Sequence, residues 1–301
     1  VILRQQQLYT VPFGWYLLYP QLAFGHNLMT SRYHFSIPQL NETTMKVLLL
    51  GATGNVGSRA LPALIKHGHT VVAYVRSASK LAPEQRTSLA SVVVGSVTDK
   101  SALKNAILIH NCDAVFHAAG VAQMFGRSKT GEYNKLFATV VAAIVEAHEE
   151  RRGPAIRAWL MSGFPILDSA VQTHLIGDYM PMFPEHRENL TLIQKQNQGS
   201  IAWSLFCANQ MTPKHKEVRF PAPDDCSAAN VIASADAPPE WRDTLKRVPL
   251  IGPYLNVFGL AGGYATSLED PLDFIATDFE NGLKSEFVGK RVGLKMKKVA
   301  A

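Results

Sequence analysis

The chain has 301 residues, 47% of them hydrophobic, and a formal charge of +6. That is enough to bury one large α/β core with room for a small second lobe. The basic residues are spread along the chain apart from Lys290, Arg291, Lys295, Lys297 and Lys298. No aromatic platform is interleaved with that cluster, so a nucleic-acid groove is not expected. The cysteines, Cys112, Cys207 and Cys226, form no C-x-x-C pair and no ligand spacing, and no HEXXH run is present. Reduced, buried thiols and no metal site are therefore expected. The sequence shows no internal repeat and no low-complexity tract.

Residues 1–44 differ from the rest. They are aromatic-rich, and Glu42 is their only acid. The stretch from Gln5 to Ser31 lacks Lys, Arg, Asp and Glu, but Pro12, Gly14 and Pro20 interrupt it. It makes a poor membrane span and lacks the Arg and Ser content of a transit peptide. The expectation is a disordered or gene-model leader, with Met45 as a natural start. A targeting signal and a membrane or partner contact are the alternatives.

The segment Met45–Ser77 carries the strongest pattern. Val47–Leu50 is an apolar run suited to a parallel strand buried on both faces. Gly51, Gly54 and Gly57 follow, spaced G-x-x-G-x-x-G. Val56, Ala60, Leu61, Leu64 and Ile65 then recur at helical intervals, Gly68 marks a stop, and Val71–Val75 forms a second strand. Strand, glycine turn, helix and strand make a βαβ unit with a phosphate site at its first turn. Gly51 permits the turn, Gly54 lets backbone approach a pyrophosphate, and Gly57 lets helix and strand pack closely. Thr53, Asn55 and Val56 complete the candidate phosphate turn, and the helix N-terminus adds unpaired N–H groups. Arg76 ends the second strand, where an acid would bind a ribose 2′-hydroxyl. With Ser77 and Lys80 beside it, Arg76 points to NADP(H), while NAD(H) stays open.

Ala90–Val94 reads as a third strand, and Ser96 and Val97 after it are candidates to flank the adenine. Asp99 or Ser101 caps a helix over 102–108. Asp113–His117 gives a fourth strand ending at Ala118, Ala119 and Gly120, small residues that leave room for cofactor at the strand ends. A loop over 121–130, expected at the cofactor edge, precedes a helix over 132–150. Ala158–Met161 is the fifth strand and ends at Ser162, a candidate catalytic hydroxyl or a plain turn serine. A helix follows over 185–196, and Ile201–Cys207 is the sixth strand. From Thr212 the composition shifts to recurrent prolines and an apolar cluster over 248–260. The domain reading is leader 1–44, NAD(P)-binding domain 45–211, substrate lobe 212–264, and a returning helix and strand over 265–301. The expected fold class is α/β: a Rossmann-type doubly wound parallel sheet with a small C-terminal substrate lobe. No membrane span is predicted, and the expected location is cytoplasmic.

The runs MKVLLLGATGNVG, GHTVVAYVRS, DAVFHAAG, AWLMSG, EHRENLTLIQ, AWSLFC and GKRVGL carry a family resemblance. Residues 45 to about 297 resemble the atypical short-chain dehydrogenase/reductases, in the NmrA-like and flavin-reductase or biliverdin-IXβ-reductase-like branch, which is widely represented in fungi. That resemblance implies the fold and NADP(H) use. It also implies a departure: no Tyr here has a Lys four residues later, the pair that lowers a tyrosinate in ordinary members. In the branch a histidine or lysine stands where His186 falls, so His186 is a candidate to hold or protonate substrate. Tyr179, preceding the same helix, is a second acid candidate. The leading expectation is reduction of a hydrophobic or aromatic small molecule, with Ser162, Tyr179 or His186 giving a proton or hydrogen bond. The alternative is a non-catalytic NAD(P)-sensing regulator of the NmrA type, which would need a protein partner.

Overall fold

In chain order the strands are β1 (Lys46–Leu50), β2 (Thr70–Val75), β3 (Ser91–Val94), β4 (Ala114–His117), β5 (Ile156–Gly163), β6 (Ile201–Ala208), β7 (Met211–Thr212), β8 (Val231–Ala235), β9 (Thr266–Ser267) and β10 (Lys290–Met296). The helices are α1 (Gly57–Lys66), α2 (Pro83–Ser88), α3 (Lys100–Ile109), α4 (Glu132–Arg151), α5 (Glu185–Gln194), α6 (Gly252–Ala261) and α7 (Glu269–Glu280). This computed structural model describes residues 44–120, 131–169, 174–245 and 247–297. The leader, apart from its last residue, and the loop over 121–130 lie outside the described residues. All described residues fall in one unit, Asn41–Ala301.

The main sheet has the order β3-β2-β1-β4-β5-β6-β10-β8. Every pairing in it is parallel except β10 with β8. The expected Rossmann-type α/β fold is therefore what the chain adopts. The alternation of β1 explains its two-sided burial. Val47 and Leu49 point to the side of α1 and α7, and Leu48 and Leu50 to the side of α3 and α4. Side chains alternate across a strand, so a strand covered on both faces must be apolar throughout.

Strand order reverses at β1, which lies between β2 and β4. The chain leaves β1 and β4 in opposite directions and opens a crevice at their carboxyl ends, the usual ligand position in such sheets.

The segment 212–264 is joined to the main sheet. It supplies β8 to the edge of the main sheet, in register Val292↔Ala235 to Met296↔Val231, and it contains α6. Below it, β7 and β9 pair as a two-stranded parallel sheet. Ser267 Oγ accepts from the Asp270 amide at 3.0 Å and so satisfies a first-turn donor of α7. The α7 face of the sheet also holds a buried ion pair. Arg157 Nη2 donates to Asp278 at 2.7 Å, and the same carboxylate accepts from Trp159 Nε1 at 2.8 Å.

Candidate functional site

The glycine turn stands at the crevice. Gly51 has φ +84°, and a β-carbon there would lie 2.9 Å from the Ala118 carbonyl oxygen. A β-carbon on Gly57 would lie 2.1 Å from the carbonyl oxygen of Gly51. Both positions therefore exclude side chains, one by conformation and contact, the other by the closeness of α1 to the turn. Val56 at the start of α1 provides no side-chain cap, and the first turn contains no acid. The Ser58 and Arg59 amides are taken by the Gly54 and Val56 carbonyls, and the positive potential of the helix start still suits an anion at the turn. Thr53, Gly54 and Asn55 are exposed at this turn.

A cleft of about 870 Å³ runs over this turn. It is lined by Gly51, Thr53, Gly54, Asn55 and Val56, by Arg76 and Lys80 after β2, by Ser96 and Val97 after β3, and by Ala118, Ala119 and Gly120 after β4. These are the expected cofactor residues, with Gly57 set behind the turn as a packing position. Arg76 and Lys80 are exposed, and no acid stands at the end of β2. Tyr74, Glu132, Tyr133 and Leu136 also line the cleft. The residues present fit a dinucleotide: a side-chain-free cradle, a helix start with no side-chain cap, and exposed cations after β2 on the same cleft.

A second cavity of about 620 Å³ continues from the first, sharing Val56, Ala118, Ala119, Gly120 and Tyr133. Among the described residues its lining is uncharged. Met161, Met180, Met182, Phe183 and Met211 form its apolar wall, with Ser162, His186, Asn209 and Gln210 as polar groups.

Ser162 and His186 meet in this cavity, with Ser162 Oγ 3.4 Å from His186 Nδ1. Tyr133 joins them. Its hydroxyl lies 3.5 Å from the same Nδ1 and donates to the Met161 carbonyl at 3.2 Å. The two rings meet edge to face. Burial lowers the His186 pKa to about 4, and burial followed by the charge of Glu185 raises that of Tyr133. At neutral pH this is a cluster of uncharged hydrogen-bonding groups.

Tyr179 is not among the residues lining the cavity. Its ring stacks on His174 and meets Tyr254 edge to face, at centroid distances of 5.8 and 5.3 Å, while its neighbours Met180 and Met182 reach the cavity. Tyr133 was not singled out from sequence, because it sits 29 residues before Ser162 and 53 before His186. Its only local signal is a tyrosine in the first turn of a helix that starts beside the strand ends.

Residues 51–212, more than half of the chain, match the NAD(P)H-binding family, and the chain belongs to it. A nicotinamide dinucleotide is thus the cofactor class of this fold and cleft. An uncharacterized protein of Schizosaccharomyces pombe is 33% identical over 157 residues, which is 52% of this chain and 50% of that relative. The chain thus spans about half the length of the relative it matches. Among solved structures, the fold is similar to a candidate epimerase of Bacteroides thetaiotaomicron, with TM-score 0.56, 19% identity, and coverage of 86% of this chain and 100% of that one. It is similar to a candidate NADH-flavin reductase of Streptococcus pneumoniae, with TM-score 0.52, 18% identity, and coverage of 84% and 100%. It is also similar to an anaerobillin reductase of Escherichia coli O157:H7, with TM-score 0.50, 15% identity, and coverage of 85% and 99%. Among the described residues no helix is long and apolar enough to cross a membrane.

Proposed function

We propose that the protein is an NADP(H)-dependent reductase of an uncharged hydrophobic or aromatic small molecule. The observation that carries this reading is the continuity of the two cavities: the glycine-turn cleft opens directly into an uncharged apolar cavity that holds Ser162, His186 and Tyr133. A bound nicotinamide supplies a hydride. The chain's own part is placement. The glycine turn and the start of α1 hold the pyrophosphate, Arg76 and Lys80 pair the 2′-phosphate, and the methionine wall excludes water from the reacting carbon. With its proton on Nδ1, neutral His186 donates to Ser162 Oγ and leaves the Ser162 hydroxyl proton free for a substrate oxygen, and Tyr133 reaches the same oxygen by turning its hydroxyl away from the Met161 carbonyl. The flavin-reductase and anaerobillin-reductase names among the fold neighbours agree with this reading.

A non-catalytic NAD(P) sensor is the second reading. It is favoured by one observation: among the described residues no cation stands near Tyr133 to lower its pKa in the way of the Tyr-x-x-x-Lys pair. The two part on turnover. Purified protein should oxidise NADPH with some member of a panel of quinones, flavins, aldehydes and enones. Tight NADPH binding with no turnover across the panel, joined to a partner whose affinity changes between NADP+ and NADPH, favours the sensor. Calorimetry on Arg76→Glu tests the cofactor preference. NADPH affinity should fall roughly a hundredfold, the loss of a charge-assisted bond plus repulsion, while NADH affinity holds. An unchanged preference for NADPH overturns the 2′-phosphate assignment.

A further inference from the structure

We propose that α6 and the turn before it dock on an anionic lipid bilayer surface. The helix is apolar on both sides. Val257 and Ala261 are buried in the core, with Leu260 packed against it. On the opposite side Ile251, Tyr254, Leu255 and Phe258 follow one another at the three- and four-residue spacing that forms a single stripe. Phe258 is 60% exposed, and Leu250 at the head of the helix is 97% exposed. A surface helix of a soluble domain puts polar residues on that side, and an all-round apolar helix wants a second covering. One exposed apolar side chain is ordinary, but a contiguous stripe marks a contact surface.

Charge selects what covers it. The sequence over 244–268 contains Lys246 and Arg247 and no Asp or Glu. Arg247 is exposed in the turn that leads into α6, and Arg242 is exposed five residues before it, with Asp243 between them. Basic side chains flanking an apolar, aromatic-bearing helix match the headgroup boundary of an anionic membrane, where arginines meet phosphates and Tyr and Phe sit at the interface. A second copy of the chain packed on this face would set the same arginines against each other. The helix has 10 residues, about 15 Å of rise, against a hydrocarbon core of about 30 Å. It therefore lies in the surface plane and does not span.

The docking face is tied to the cavity wall. Asn209, which lines the apolar cavity, donates from Nδ2 to the Ala261 carbonyl at 2.7 Å. Docking sets that cavity beside the bilayer. The docking itself does not depend on what reaction the cavity carries out.

Flotation of the full chain with vesicles tests the proposal. Vesicles of phosphatidylcholine with phosphatidylglycerol should carry the protein up the gradient, and vesicles of phosphatidylcholine alone should carry far less. Leu250→Asp with Phe258→Asp should abolish flotation. Arg242→Gln with Arg247→Gln should weaken it roughly thirtyfold, the effect of two basic charges at such a surface. These side chains are exposed and lie outside the cofactor cleft, so NADPH affinity should be unchanged, which controls for folding. No flotation with either vesicle overturns the proposal. So does equal flotation of the Asp variant, which puts the contact elsewhere on the chain. A dimer in sedimentation that Phe258→Asp dissolves, with no vesicle binding, overturns it in favour of a second copy.

Discussion

The imidazole of His186 occupies the space that a β-carbon on Gly163 would need: such an atom would stand 2.5 Å from Cδ2 and 2.6 Å from Nε2. Gly163 ends β5 one residue after Ser162, so the strand end and the α5 side chain interlock at a single atom's width. Because Gly163 does not have a positive φ, Ala is tolerated by the backbone, and the ring must give way. It is buried between Tyr133 and Phe183. Gly163→Ala should therefore move His186 off Ser162 and lower kcat about 10- to 100-fold, the scale of a misplacement of about 1 Å. NADPH affinity should stay near that of the parent. Calorimetry and steady-state rates on the same preparation check both; an unchanged kcat shows that the contact between Ser162 and His186 has no part in turnover.

Arg59 links the phosphate turn to the C-terminal helix. Its Nη1 donates to Asn55 Oδ1 at 2.6 Å, and its Nε donates to Glu269 at 2.9 Å, with both charged side chains almost fully buried. Glu269 also accepts from the Lys214 amide at 2.9 Å. Removing one member of a buried pair leaves the other charge unpaired, at a cost of about 3–5 kcal/mol. Glu269→Leu should lower stability on that scale and weaken NADPH binding, because Asn55 loses its fixed anchor. Denaturant melts and cofactor titration read the two effects. If stability falls while NADPH affinity holds, the pair supports the fold and does not position the turn.

The glycine turn and the parallel, doubly covered strands were legible because each rests on a local pattern: a continuous apolar run for a strand covered on both faces, and three glycines at the spacing that a close-packed turn requires. The meeting of Ser162 with His186 was half legible, through the position of Ser162 at a strand end. Tyr133 was not, since only the packing of α4 against α5 brings it to them. Strand β8 was hidden because Val231–Ala235 is a short edge strand of mixed character, half-buried over most of its length. Helix α6 was hidden for a different reason. With apolar residues on both sides it shows no amphipathic period, so its residues read from sequence as the lining of a pocket. In the folded chain several of them face outward.

His117 sits at the end of β4, fully buried, and neither ring nitrogen finds a hydrogen-bond partner among the described residues. Burial lowers its pKa to about 4. The sign follows from proton uptake. In the unfolded chain this ring protonates near pH 6.5 and in the folded chain only near 4, so between these values the unfolded state holds more protons and stability falls as the pH is lowered. The stabilising contribution is complete above about pH 6.5 and decays by about 3 kcal/mol towards pH 4. His117→Leu removes both the unpaired nitrogens and the titration. It should raise stability at pH 7 by about 1–3 kcal/mol and flatten the acid side of the stability curve. Thermal melts from pH 7 down to 4 check it; a variant with the parent's slope shows that the acid sensitivity arises elsewhere, His69 and His186 being the other buried rings whose pKa burial lowers.

The same burial sets an expectation for the reaction. Among the described residues that line the apolar cavity, His186 and Tyr133 are the titratable ones, and burial moves both away from neutrality, His186 down to about 4 and Tyr133 upward. A tyrosine paired with a lysine would shed its proton close to the working pH and bend the rate profile there. Here no cation stands beside Tyr133 among the described residues, and burial keeps its proton on. Under the reductase reading, kcat should be flat from about pH 6 to about pH 9. Tyr133→Phe, which keeps the ring against His186 but removes the hydroxyl, should lower kcat about 10- to 1,000-fold without bending the profile. A limb with its midpoint near neutrality that disappears in His186→Gln gives the opposite result: the imidazole then ionises once the cavity is filled, and it, not the Tyr133 hydroxyl, passes the proton.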